Sequence, residues 1–328
     1  MKRLFRVMGI LVLAGLLLPV GIVSAKTVKF TFGTANSPKD FSIMAMAKWQ
    51  KDMKAASKGE LDMNMVTGGA LGGDKQLLQQ LAANEIQVHI AGPVVVHHLA
   101  KEYQCMEAEF VYKNEEHGYR VWNGPLRYEL NKKLEKEYNI TIIGVGLRGS
   151  RNVTSNVPVY KPEDMKGIKM RVTNKLRQSV FKEIGALPAP LSFKELYGAL
   201  RQGVFEAQEN PISTIYGTKL YEVQKYINLT QHVYSYWVVS ANKTFMDSLT
   251  ADQRKIFDKT LNDNIEYLNT LSRNGTKDLL KKMEDSGKIK VIEPDVAAFE
   301  KIAKPVVAKY AESKCRPGIL EEIAKYAE

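Results

Sequence analysis

The sequence predicts an α/β fold. Short runs in which apolar and polar residues alternate, the period of a half-buried strand, recur between stretches with helical spacing. Glycine, proline or a helix-capping residue stands at most of the junctions between them. The chain has 328 residues, 45% of them hydrophobic and 25% charged, enough to bury one large core or two ordinary ones. It contains no low-complexity segment, no sequence repeat and no Pro/Ser-rich linker. Two lobes would therefore be joined by ordered crossovers and not by a loose tether.

The elements follow in order. Val28, Phe30 and Phe32 alternate with Lys29 and Thr31, a strand. Ser37-Pro38 supplies a cap and a proline for the first helical position, opening a helix to about Ser57. Leu61, Met63 and Met65 alternate with Asp62 and Asn64, a second strand. The glycine-rich bend at 68–73 leads into a helix through Gln76 to Asn84, and Ile86, Val88 and Ile90 form a third strand. Glu115 to Tyr138 reads as one helix and Ile140 to Leu147 as a strand. Lys161-Pro162-Glu163-Asp164 opens a helical turn that Gly167 ends, and Ile168, Met170 and Val172 make the next strand. Asn174 to Ile184 is helical and stops at Gly185. Ser192-Phe193-Lys194-Glu195 has the spacing of a capping box, and its helix ends at Gly203. Val233 to Val239 is a strand rich in aromatic and β-branched residues. From Ser248 to about Ser286 the chain forms one long helix with Gly275 as its expected weak point, followed by a short strand, Ile289 to Ile292, and a helical tail.

The N-terminus has the form of a secretory signal peptide. Lys2, Arg3 and Arg6 precede an uncharged run from Val7 to Val23, and Val23-Ser24-Ala25 offers small residues for cleavage after Ala25. Removing that leader lowers the formal net charge from +11 to +8. No second run approaches membrane-spanning length, so an exported, soluble product is expected, in the periplasm.

The catalytic motifs fail one by one. There is no GxSxG, HExxH, GxxxxGK[ST] or GxGxxG after a strand, and the glycines at 68–73 have the spacing of a tight turn. His97 and His98 are adjacent and point about 100° apart on a helix, so the five histidines read as surface or packing residues. No metal, no cofactor and no enzymatic activity are expected. The two cysteines, Cys105 and Cys315, either pair in an oxidising compartment or stay apart. The lysines are interleaved with acids, as at Lys132-Lys133 and Lys281-Lys282, and read as solvated helix faces, so no nucleic-acid partner is expected.

Arginines at strand ends remain. Arg148 and Arg151 follow one strand in Arg148-Gly149-Ser150-Arg151-Asn152, and Arg171 closes another before Val172-Thr173-Asn174. The planar guanidinium gives two parallel bonds to a carboxylate, and a nearby helix N-terminus adds amide donors and positive potential.

At these residues the sequence resembles the extracytoplasmic solute-binding proteins of TRAP transporters, the DctP-like family. The segment from Pro162 to Val172, PEDMKGIKMRV, is similar to that family's P-E-D-L-K-G-L-K-I-R-V signature. Further similar segments follow in the family's order: Gly185-Ala186-Leu187-Pro188, Glu195 to Gly203, Gln208-Glu209-Asn210-Pro211, Tyr221 to Tyr226, and Thr230-Gln231-His232. Upstream, Gly69-Ala70-Leu71-Gly72-Gly73 resembles the family's xxLGG turn.

The resemblance implies a two-lobed periplasmic binding protein fold, type II-like, with hinge strands and a long bracing helix. Lobe I would comprise 26–148 plus 236–275, and lobe II 149–235 plus 276–328, with a ligand cleft between them. Arg171 is implied as the carboxylate-binding arginine, Arg151 as a second arginine on the same anion, and Asn210 as a hydrogen-bond donor to it. The first lobe would lend Ala35, Asn36 and Gly92-Pro93, and Tyr236 and Trp237 would border the cleft. Glu206-Ala207 stands where Asp-Gly is common in the family, a departure in the local turn. Gly92-Pro93 stands where sialic-acid binders carry an acidic residue, which argues against sialic acid, so a simple organic acid is expected. C4-dicarboxylates, 2-oxo acids, sugar acids, aromatic acids and small sulfonates all offer an anion for Arg171. The implied role is capture by lobe closure and delivery to the membrane subunits of a TRAP permease, by a monomer. The alternative is a sensor component that presents the same ligand to a membrane receptor. An exported enzyme would need a nucleophile–base or metal constellation, which the sequence lacks.

Overall fold

Residues 27–327 are described by the structure, a computed structural model, and the leader and its cleavage position lie outside the described residues. The alternating runs form strands β1 (Val28–Gly33), β2 (Leu61–Val66), β3 (Val88–Ala91), β4 (Ile140–Ser155), β5 (Lys169–Val172), β6 (Leu187–Pro190), β7 (Ala207–Pro211), β8 (Tyr226–Asn242) and β9 (Lys290–Ile292). The helices are α1 (Phe41–Ala56), α2 (Asp74–Ala82), α3 (Val94–His98), α4 (Glu115–Asn123), α5 (Pro125–Tyr138), α6 (Lys175–Glu183), α7 (Leu196–Arg201), α8 (Ile212–Gly217), α9 (Lys243–Ser248), α10 (Ala251–Asp285), α11 (Val296–Lys314) and α12 (Ile319–Ala324).

One sheet runs in the order β2-β1-β3-β8-β4-β7-β5-β6, with β9 also beside β8. Its two long antiparallel strands, β4 and β8, serve both halves. In the first half, parallel β2, β1 and β3 join the C-terminal part of β8, at Val238 to Ala241. In the second, parallel β6, β5 and β7 join the C-terminal part of β4, at Arg151 to Ser155. The result is the expected α/β, two-lobed arrangement crossed by shared strands.

Both shared strands extend beyond their predicted ends. In β4 the polar run Arg148-Gly149-Ser150-Arg151 breaks the apolar alternation, Gly149 takes φ +82°, and three register shifts interrupt the pairing with β8. In β8 the buried polar residues Asn228, Thr230 and His232 hide the N-terminal half. Period-two reasoning bounds a strand where inward positions turn polar, so it ended β4 too early and began β8 too late.

Local chemistry moved several boundaries. The helix expected over 115–138 is split, because α4 ends at Gly124 and Pro125 restarts the chain as the first residue of α5. Asp40, not Ser37, caps α1, its carboxylate accepting from the Ser42 amide at 3.1 Å. The capping box at Ser192 does not form. Its side chain caps nothing among the described residues, and its carbonyl accepts from Glu195 N at 3.1 Å in a 3-10 turn before α7. Thr250 and Gln253 form a reciprocal box at the start of α10, with bonds of 3.3 and 3.1 Å.

The 35-residue helix α10 runs unbroken through Gly275. The glycine allows close approach: a Cβ there would lie 2.5 Å from Phe41 Cζ on α1. Gly275→Ala, which in an open helix would gain about 1 kcal/mol from propensity, is expected instead to lower stability by about 1–3 kcal/mol through overpacking. A urea melt checks this.

The C-terminal tail departs from the expected lobe assignment. Phe299, Ala303 and Val307 of α11 pack with Met170, Val180 and Phe181, in the second half. Ala311, Cys315, Ile319 and Ile323 pack instead with Val121, Trp122 and Leu130, in the first. Cys105 and Cys315 are disulfide-bonded, with Cα atoms 6.3 Å apart, so the tail is fastened beside the 3-10 turn at 101–107. The bridge closes 210 residues of sequence separation. Cys105→Ser with Cys315→Ser is expected to cost about 2–5 kcal/mol, read by denaturant unfolding of the oxidised wild type against the double variant.

Candidate functional site

A cavity of about 320 Å³ lies between the two halves. Chain leaving β1 and β3 brings Asn36 and Gly92-Pro93 to it, and the start of α2 brings Asp74 and Lys75. From the other half come Arg171 on β5, Thr173 just beyond it, Pro190 to Phe193 at the exit of β6, and Asn210 on β7. Arg148 and Arg151 reach it from β4, and His97, His98 and Glu107 complete the wall. Outside the carboxyl ends of parallel strands is where open α/β sheets place ligands.

Arg171 is 3% exposed. Its Nε and Nη2 both donate to the Leu191 carbonyl, at 2.9 and 2.7 Å. Nη1 is buried with no partner among the described residues. Burial pushes its pKa down to about 10, which leaves a cation at neutral pH. It is a fixed guanidinium lining a cavity, with a donor to spare.

Arg151 stands differently. Its Nε binds the Glu209 carboxylate, and its Nη2 donates to Glu209 O at 2.7 Å and Asn210 Oδ1 at 3.1 Å. It borders the cavity, but its charge is already matched by Glu209, and it orients Asn210. Asn210 Nδ2 in turn donates to Gln208 Oε1 at 2.6 Å. Asn36 lines the opposite wall, held by Thr34 Oγ1 at 3.0 Å and Ile90 O at 3.3 Å.

The two aromatics do not line the cavity. Tyr236 is fully buried in the first half, against Tyr112 and Trp122, its hydroxyl donating to Glu115 O at 2.6 Å. It occupies space that Gly118 leaves by having no Cβ. Trp237, also fully buried, lies behind the wall with the Arg148 guanidinium 4.0 Å from its ring centre. Alternation explains the difference, since neighbours on a strand face opposite sides and both sides of β8 are core.

Behind the wall lies a buried charge network that no motif announced. Arg177 of α6 binds Glu109 at 2.9 Å and lies 3.6 Å from Glu209. Glu209 also lies 3.3 Å from His232 Nε2. Burial would raise the Glu209 carboxyl, but Arg151 and Arg177 outweigh it and hold the group well below the usual range. Burial lowers His232 to about 4, so it is neutral at pH 7. His97 Nε2 lies 2.6 Å from Glu107, whose carboxyl His97 and Arg177 also hold low against burial. His97 and His98 therefore border the site, contrary to the surface or packing reading. Asp74 and Glu107 also put carboxylates in its wall, so Gly92-Pro93 does not make it free of acids. A cluster of three or more metal-ligating side chains is absent among the described residues.

The model of the bacterial extracellular solute-binding proteins, family 7 (DctP), matches residues 32–314. A C4-dicarboxylate-binding periplasmic protein DctP of Rhodobacter capsulatus is 28% identical over 275 residues, 81% of each chain. The crystal structure of a sugar acid binding protein from Advenella mimigardefordensis, in complex with galactonate, is 30% identical, with a TM-score of 0.86 over 92% of this chain and 98% of that one. A TRAP periplasmic solute binding protein from Ochrobacterium anthropi with bound L-fuconate is 27% identical, with a TM-score of 0.85 over 92% and 100%. No described helix is long and apolar enough to cross a membrane.

Proposed function

Because the chain belongs to family 7 of the bacterial extracellular solute-binding proteins, TRAP-type periplasmic proteins that bind small acids and work with a membrane permease, we propose that its cavity captures an organic acid with the carboxylate on Arg171. The observation that carries this reading is the unpartnered Nη1 of Arg171, a buried cation at the cavity wall. A carboxylate there would replace lost hydration with charge-assisted bonds. Asn210, held by Arg151, would meet the same group, and Asn36 would close on the ligand from the other lobe. The mature chain would begin after Ala25 and act in the periplasm as a monomer.

Capture would proceed by closure. The acid first meets Arg171 in the second lobe, and contacts from the first lobe then favour the closed state by the ligand's differential affinity for it. The closed form would dock on the permease. C4-dicarboxylates and sugar acids, the ligands named for the relatives, fit a cavity of about 320 Å³ with cationic and hydrogen-bonding walls.

A thermal-shift screen of the mature protein against a panel of organic acids tests this. At least one acid should raise the melting midpoint, because it binds the native state and not the unfolded chain. A panel in which neutral sugars or amines shift the midpoint and no acid does would contradict it.

A further inference from the structure

We propose that Arg148 is a second anion receptor in the cavity, so that the ligand is an acid with an anionic group at each end, one on Arg171 and the other on Arg148. This rests on the reading of Arg171 given above. Arg148 is 8% exposed and lines the cavity. Its guanidinium lies 4.0 Å from the ring centre of Trp237, a cation–π contact that fixes its position. Nη2 donates to Thr214 Oγ1 at 3.2 Å, and that hydroxyl donates to Asp40 Oδ2 at 3.0 Å. Asp40 is thus reached only through a hydroxyl, and its other oxygen is committed to Ser42 at the start of α1.

Two further donors carry no bond to protein among the described residues. Nε is buried without a partner among the described residues. Nη1 lies against Gly92, where any Cβ would collide with it, so the glycine leaves the guanidinium its way into the cavity. Of the three cavity arginines, Arg151 is matched by Glu209, whereas Arg148 and Arg171 have no carboxylate within 4.0 Å among the described residues. Each is a buried cation at the cavity whose pairing is open to an anion. A single carboxylate relieves one of them, and a dianion relieves both. The sequence shows Arg148 but not this role, because Trp237, Thr214 and Gly92 converge on it from distant segments.

Matched acids test the proposal by calorimetry on the mature protein: succinate against succinamate, and galactarate against galactonate. Within a pair that binds, the wild type should prefer the dianion by at least about tenfold, the margin of one charged hydrogen-bonding group. Arg148→Met should collapse that ratio to within about threefold, and Arg148→Lys, which keeps the charge but not the planar fork, should retain part of it. Gly92→Ala, which displaces the guanidinium without removing it, should also reduce the ratio if Arg148→Met fails to fold. Equal wild-type affinity within the pairs, or a ratio unchanged in Arg148→Met, overturns the role of Arg148 and leaves that of Arg171 intact. Binding that survives Arg171→Ala in full overturns the underlying reading as well.

Discussion

Replacing Arg171 with alanine is expected to weaken acid binding by more than about tenfold while the protein still folds. A charged hydrogen-bond partner contributes about 1.5–3 kcal/mol, and each 1.4 kcal/mol is a factor of ten. The structural cost is small by comparison. Arg171 forms no ion pair among the described residues, and its protein bonds both end on one acceptor, the Leu191 carbonyl. Its removal therefore strands no buried carboxylate. Titration calorimetry against an acid found to stabilise the wild type reads the first effect, and a cooperative thermal melt reads the second. Unchanged affinity would remove Arg171 from the site.

The opposite balance is expected at Glu209. Glu209→Ala should lower stability by about 3–5 kcal/mol, the range for removing one partner of a buried ion pair. The side chain is fully buried against Arg151, Arg177 and His232. Its loss leaves two guanidinium groups less compensated, and Arg151 no longer holds both its own place and that of Asn210. The exposed pair Lys259–Asp263, with side chains 71% and 58% exposed, is the control, and Asp263→Ala should change stability by no more than about 0.5 kcal/mol. Urea unfolding of the three proteins decides. A Glu209→Ala effect as small as that of Asp263→Ala would show that the network does not hold the wall.

The contrast between these two arginine environments explains what could be read from sequence. The α/β class was legible because Val28 to Phe32 and Leu61 to Met65 alternate cleanly and glycines mark the turns. That Arg171 and Asn210 line the cavity was legible because they lie within contiguous segments resembling a family's motifs. The charge network behind the cavity wall was not: Arg177, Glu107 and Glu109 join Glu209 across long sequence separations, and no local pattern encodes a meeting of that kind. Trp237 and Tyr236 misled for a related reason. An aromatic run on a strand shared by both lobes suggests a cleft, but with both faces of β8 covered it fills core on either side. Gly275 misled in the opposite direction. Its low helix propensity is real, but the space it leaves for Phe41 is visible only once α1 and α10 are packed together.

The same packing bears on closure. β4 and β8 run through both halves, and the tail is fastened to the first half by the Cys105–Cys315 bridge. The proposed closure would have to be accommodated within these ordered strands, and one of their register shifts falls at Arg151, which lines the cavity.

The most direct measurement is a crystal structure of the mature protein grown with the acid that most raises its melting midpoint. A carboxylate within hydrogen-bond distance of Arg171 Nη1 and Asn210, enclosed between β5 and the loop after β3, is the predicted result. The same acid bound elsewhere, or bound in the cavity with its carboxylate turned away from Arg171, would contradict it.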